Sequence, residues 1–200
     1  MNKTIAFFKK HGGYARMKDL KAASIHTREI ARLVHENIIE KVKPGLYRLS
    51  DLPQENNIPV SFIDVCQAIP KGVICLLSAL EFHDLTTFNP SEIYIAIPNS
   101  EKGTKIEYPP VRVYFFRDRF YNSGIETFVT SSGEVRIYNQ EKTICDMFRY
   151  RNKLGEDVAL EGLKNYLKSK HSDIQKLTEY AERCQVKTIL LPYIKALVAS

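Results

Sequence analysis

Apolar positions in the first fifty residues recur at helical spacing three times, then change to a shorter alternation. Ile5, Ala6 and Phe8 or Phe7 give the inner side of a helix over 2–10, which Gly12 and Gly13 end. Tyr14 and Ala15 lead into a second helix over 16–23, with Met17, Leu20 and Ala23 turned inward. Ser24, Ile25 and His26 make the turn. A third helix over 27–36 has Ile30, Leu33 and Val34 as its inner stripe. Asn37 is its stop, because asparagine tolerates a positive φ. Strands over 38–42 and 46–49 follow, joined by a Lys43-Pro44-Gly45 turn. Three helices and a two-stranded ribbon, in that order, predict a winged helix-turn-helix.

Beyond it, the polar stretch 51–57 with Pro53 reads as a linker between a domain over 1–52 and another over 58–200. Helices are predicted over 60–69 and 73–83, separated by Pro70-Lys71-Gly72. The second is almost wholly apolar through Leu80 and so must be buried on most sides. Strands are predicted over 93–97, 111–116, 127–130 and 135–138, with 99–110 as a loop. Helices over 140–149, 156–169, 172–184 and 186–198 complete the chain. The expected fold class is α/β in the α+β sense. A winged helix precedes a mixed domain of helices around a small β-sheet, with a helical bundle at the C-terminus.

Charge makes the first segment more specific. Its first fifty residues hold eleven Lys and Arg against four Asp and Glu, a surplus of +7, whereas the whole chain carries +6. The rest is therefore slightly acidic. A cationic surplus confined to one small domain suits phosphate neutralisation and counterion release on DNA. With 44% hydrophobic residues the chain is not a disordered one. No apolar run approaches the roughly 20 residues that span a bilayer, and residues 1–10 lack a signal peptide's apolar core. The expected location is cytoplasmic, without a membrane partner. Cys66, Cys75, Cys145 and Cys184 form no CxxC and no zinc spacing. They read as small buried hydrophobes, Cys66 and Cys75 within helices.

The third helix is the candidate reader, since in this motif its outer face meets base edges in the major groove. That face shows Thr27, Arg28, Ala31, Arg32 and His35. Arg28 and Arg32 are four apart and share a side. Thr27 can cap the helix and touch a phosphate, and Ala31 permits close approach. Lys41, Lys43 and Arg48 on the wing, with Arg16 and Lys18, complete the expected contact set. The competing reading pairs Arg28 and Arg32 with Glu29 and Glu36 on a solvated helix.

Arg112, Arg117, Arg119 and Arg136, with Tyr114, Tyr121 and Tyr138, form a candidate second basic and aromatic surface. On a strand, Arg112 and Tyr114 share a face. The alternative is an ordinary half-exposed sheet face, salt-bridged to Asp118 and Glu134. No phosphate-binding glycine loop, HExxH or G-x-S-x-G appears. His83-Asp84 reads as a helix cap and turn. Glu141 and Asp146 point in different directions on one helix, and Glu141 suits the helix dipole. No enzyme, cofactor or metal is expected.

The stretch His11-Gly12-Gly13-Tyr14-Ala15-Arg16, Asp19-Leu20, Ser24-Ile25, Ile30, Arg32-Leu33-Val34 and Lys43-Pro44-Gly45-Leu46-Tyr47-Arg48-Leu49 resembles the winged helix of AbiEi-type antitoxins. Residues 74–86, with their Ser78-Ala79-Leu80 core, and 140–147, with Thr143 and Asp146, resemble two later blocks of that family. The family commonly has a small or capping residue where His26 stands, and Gly where Asn37 stands. The resemblance implies the antitoxin half of a type IV toxin–antitoxin system of phage abortive infection. Its N-terminal domain would repress the shared operon at inverted repeats in double-stranded DNA. Its C-terminal domain would counteract a nucleotidyltransferase-like toxin, often without a stable complex between the two. Two rival readings remain: a ligand-responsive winged-helix regulator with no toxin partner, and a DNA-targeted nuclease.

Overall fold

The computed structural model describes residues 2–55, 57–103, 106 and 108–198. Parts of the expected linker (position 56) and of the expected loop (104, 105 and 107) lie outside the described residues. The chain is mixed α/β and divides into two compact units. The first comprises Met1–Pro70, Gly103–Val111 and Phe128–Val135; the second comprises Lys71–Lys102, Arg112–Thr127 and Arg136–Ser200.

The first unit opens with α1 (Lys3–Lys10), β1 (Tyr14–Arg16), α2 (Met17–Ala22), α3 (Thr27–His35), β2 (Ile39–Lys43), β3 (Leu46–Leu49) and α4 (Val60–Ala68). All three expected helices and both ribbon strands are present. One strand is additional: Tyr14 and Ala15 were expected to lead into a helix, and instead start β1. Gly12 and Gly13 turn the chain at φ 66° and 82°. Residues 14–16 then pair with β3, Tyr14 opposite Arg48 and Arg16 opposite Leu46. The ladder supplies partners that a lead-in would have left to water. The sheet order is β1-β3-β2, with β3 central and antiparallel to both neighbours.

Helix ends are closed by local hydrogen bonds. The Asn2 side chain accepts from Thr4 N at 2.8 Å and caps α1. Asn37 takes φ 54° beyond α3, with Asn37 N on Val34 O and Ile38 N on Leu33 O. That is a Schellman stop, as expected of an asparagine here. Ser24 does the same beyond α2 at φ 58° and so sets the turn into α3. Phe8, Leu20, Ile25, Ile30, Leu33, Ile39 and Leu49 pack as the core beneath these elements.

In the remaining chain, β4 (Val73–Ile74), α5 (Leu76–Phe82), β5 (Ile93–Pro98), β6 (Val111–Phe116), α6 (Asp118–Tyr121), β7 (Ile125–Thr130) and β8 (Gly133–Tyr138) precede the helices. These are α7 (Gln140–Leu154), α8 (Glu156–Lys168), α9 (Ile174–Arg183) and α10 (Lys187–Val198). The five-stranded sheet has the order β6-β5-β4-β8-β7. The expected helix over 73–83 is corrected: Val73 and Ile74 are a strand between antiparallel β5 and parallel β8. A central strand buried on both faces is as apolar as a buried helix, so periodicity does not separate them. Cys75, also expected in that helix, is its extended N-cap. The short α6 was not foreseen. Helix α7 packs against α5, α8, α9 and α10, which makes it the spine of the C-terminal helices. All four cysteines are buried free thiols.

Candidate nucleic-acid interface

Helix α3 buries Ile30 and Leu33 at 2% and 0% exposure. Thr27, Arg28, Ala31, Arg32 and His35 are all exposed on its other side. Thr27 is not the cap. His26 holds the N-cap position without a side-chain capping bond, and Thr27 begins the helix.

The two arginines differ. Arg32 is clamped, Nη2 to Glu29 at 2.8 Å and Nη1 to Glu36 at 3.1 Å. These bonds hold the Glu29 carboxyl below its usual pKa and the Arg32 guanidinium above its own. The competing solvated-helix reading is thus realised for Arg32. Arg28, one residue into the helix, makes no hydrogen bond or ion pair among the described residues. Lys18 and Lys41 are also exposed.

Three members of the expected contact set are turned elsewhere. Arg48 is only 12% exposed, its Nε 3.1 Å from Asp64 and its Nη2 2.7 Å from Glu40. Lys43 Nζ donates to Ala68 O at 2.6 Å, and Arg16 Nη2 to Gln67 O at 3.2 Å. Burial, and then the neighbouring Arg16, lower the Lys43 pKa. These cations brace α4 against β1 and the wing. Expected as DNA contacts, each of the three has at least one donor engaged within the fold.

The hub of that brace is Asp64. It also accepts from the Tyr14 hydroxyl at 2.7 Å. Burial pushes its carboxyl above the ordinary value, against the opposing pull of Tyr14 and Arg48. Burial and the carboxylate together raise the Tyr14 hydroxyl far more. The sequence signal was one charged residue in the otherwise uncharged helix VSFIDVCQA. A buried carboxylate needs a cation, and its cation lies sixteen residues away.

In the second unit the four candidate arginines do not form one surface. Arg112 pairs with Glu92 at 2.7 Å, in place of Asp118 or Glu134. Its guanidinium lies 5.6 Å over the Tyr94 ring, which stacks on Tyr114. Arg112 and Tyr114 therefore do share a face. Arg119 bonds Gln185 at 3.0 Å and lies over Phe120. Arg117 is exposed, and Arg136 is half-buried. Tyr121 and Tyr138 belong to the core, each hydroxyl bonded to a backbone oxygen.

His83 is the C-cap of α5, and Asp84 follows at φ 55°. The His83 ring is 2.7 Å from Tyr138 O, and burial lowers its pKa. Glu141 does sit in the first turn of α7. It also accepts from Tyr166 at 2.9 Å and pairs with Lys176 at 3.0 Å. Asp146 is bound to Lys142, an ion pair wholly inside the fold that the sequence reading missed. The Lys142 ammonium lies 4.4 Å over the Tyr138 ring. Its signal was the i, i+4 spacing on an apolar face.

Among the described residues, no helix is long and apolar enough to cross a membrane. No group of three or more His, Cys, Asp or Glu among them could hold a metal ion. No curated protein matches the chain at a significant level. Residues 2–50, the winged helix and the turn-strand that supports it, match the family described as "Transcriptional regulator, AbiEi antitoxin", and over that segment the resemblance read from the motifs holds.

Proposed function

We propose that the chain is the autorepressor and antitoxin of a type IV toxin–antitoxin system. Helix α3 enters the major groove of inverted repeats in the operon's own promoter. The C-terminal portion counteracts a nucleotidyltransferase-like toxin without a stable complex. The chain performs no catalysis in this reading and needs no cofactor. It acts in the cytoplasm, on double-stranded DNA.

The observation that supports this best is the outer face of α3, in a segment that matches antitoxin regulators. Arg28, without a partner among the described residues, stands at its first turn, where helix-turn-helix proteins touch base edges. Its fork fits the two acceptors of a guanine edge. Arg32 can exchange Glu29 and Glu36 for phosphate, because exposed ion pairs are weak and a duplex is densely charged. Lys18 and Lys41 add phosphate contacts. Two such heads on an inverted repeat stand about 34–36 Å apart, or a multiple of it.

The test is a promoter reporter beside co-expression with the toxin gene. Wild-type protein represses the reporter and rescues growth; Arg28→Ala loses repression and keeps rescue. Full repression by Arg28→Ala would contradict the assignment of α3. A second reading, a ligand-responsive regulator without a toxin partner, is favoured by one observation, an arginine-lined cavity in the second unit.

A further inference from the structure

A cavity of about 370 Å³ lies in the second unit, bounded by the end of β6, by α6 and by the middle of α7. Its volume falls in the range of small-molecule sites, about 300–1,000 Å³. Arg117, Arg119 and Arg149 line it, with Asp146 as the one carboxylate. Asp146 is paired with Lys142 and its charge also acts on Arg149, so three arginines share the cavity with one carboxylate already held by a lysine.

Arg149 is the informative residue. Its Nε and Nη2 are closed to solvent and have no hydrogen-bond partner. Its guanidinium lies 4.0 Å over the Phe120 ring, and that of Arg119 lies 4.5 Å over the same ring. The Phe120 ring thus carries two guanidinium groups. Buried donors without acceptors are unfavourable. An anion in the cavity gives them acceptors. Guanidinium forks match phosphate oxygens in number and plane. Arg117, exposed and without an ion pair among the described residues, is available to close on such a ligand. Phe115 also lines the cavity and is 49% exposed, an apolar ring with nothing yet over much of it. Aromatic faces of this kind stack nucleobases.

We infer that this cavity binds a nucleotide, with its phosphates on Arg117, Arg119 and Arg149 and its base against Phe115. The cavity belongs to the second unit, and the inference stands whether or not the first unit binds DNA.

The experiment is calorimetric titration of the full chain at about 0.15 M salt, where surface steering is largely screened. The probes are ATP, GTP, pyrophosphate, sulfate and adenosine. ATP and GTP should bind saturably at one per chain, pyrophosphate more weakly, and adenosine not at all. Arg117→Ala and Arg119→Ala, both surface changes, should weaken ATP about tenfold or more each, the scale of a lost charged hydrogen bond. Phe115→Ala should weaken ATP severalfold and leave pyrophosphate unchanged. Arg149→Gln should abolish binding, with its melting curve recorded beside it. Absence of saturable ATP binding at millimolar concentration overturns the inference. So does unchanged ATP affinity in both surface variants. Equal affinity for sulfate and ATP reduces the site to an anion trap and overturns the nucleotide assignment. Displacement of ATP by a promoter duplex makes the cavity part of a DNA surface, with the same consequence.

Discussion

Arg48→Ala separates the two roles that an arginine on a wing can have. In the fold, its guanidinium joins Glu40 to Asp64, whose side chain is 4% exposed. Alanine leaves that carboxylate buried with only the Tyr14 hydroxyl to answer it. Breaking a buried pair by removing one partner costs about 3–5 kcal/mol. The low end applies, because burial already raises the Asp64 pKa and the lone carboxyl can take up a proton. For a chain of this length each kcal/mol moves Tm by about 2–4 °C, so a loss of about 3 kcal/mol lowers it by about 6–12 °C. Differential scanning calorimetry at neutral pH reads this directly. Arg28→Ala, an exposed change, should leave Tm where it was. An Arg48→Ala protein that melts with the wild type and binds promoter DNA more weakly would refute the brace and return Arg48 to the DNA contacts.

A chain ending at Leu52 lacks Asp64 altogether and should melt below one ending at Pro70, as followed by circular dichroism. Glu29→Gln with Glu36→Gln removes both ion pairs of Arg32 and two negative charges from the reading face. DNA affinity should rise, and fluorescence anisotropy at low salt would show it. Ser24 holds a left-handed backbone at φ 58°, so Ser24→Gly should stabilise the chain by about 0.5–1 kcal/mol in urea unfolding. His83 has its pKa lowered below 6.5 by burial, so the folded state resists its protonation. Its contribution is complete above pH 6.5 and is lost as pH falls through the lower folded value. His83→Gln should flatten the fall in stability as pH drops below about 6.5.

The winged helix was legible because its signals are local. Periodic Ile30 and Leu33, the turn at Lys43-Pro44-Gly45 and the stop at Asn37 are set by neighbours within a few residues. Strand β1 was not legible, since Tyr14–Arg16 becomes a strand only through pairing with residues some thirty positions on. Val73 and Ile74 failed for a related reason: an apolar pair fits a central strand and a buried helix equally well. The exposed face of α3 followed directly from its inner stripe. Which cations are also engaged within the fold did not, because Arg48, Lys43 and Arg16 each find an acceptor on α4. Charge counting treats all eleven basic residues of the first fifty alike. Only the fold shows that a lone aspartate in an apolar helix takes one of them. Arg117 and Arg119 were singled out together, but Arg149, on a distant helix, gives their grouping its meaning.

The central claim is that α3 reads the duplex through Arg28. It is tested most directly by anisotropy of a labelled promoter fragment against a scrambled duplex, across a salt series, for wild type and Arg28→Ala. The account predicts that Arg28→Ala costs about 1–3 kcal/mol on the promoter and much less on the scrambled duplex. Equal losses on both duplexes, or no loss on either, would contradict it.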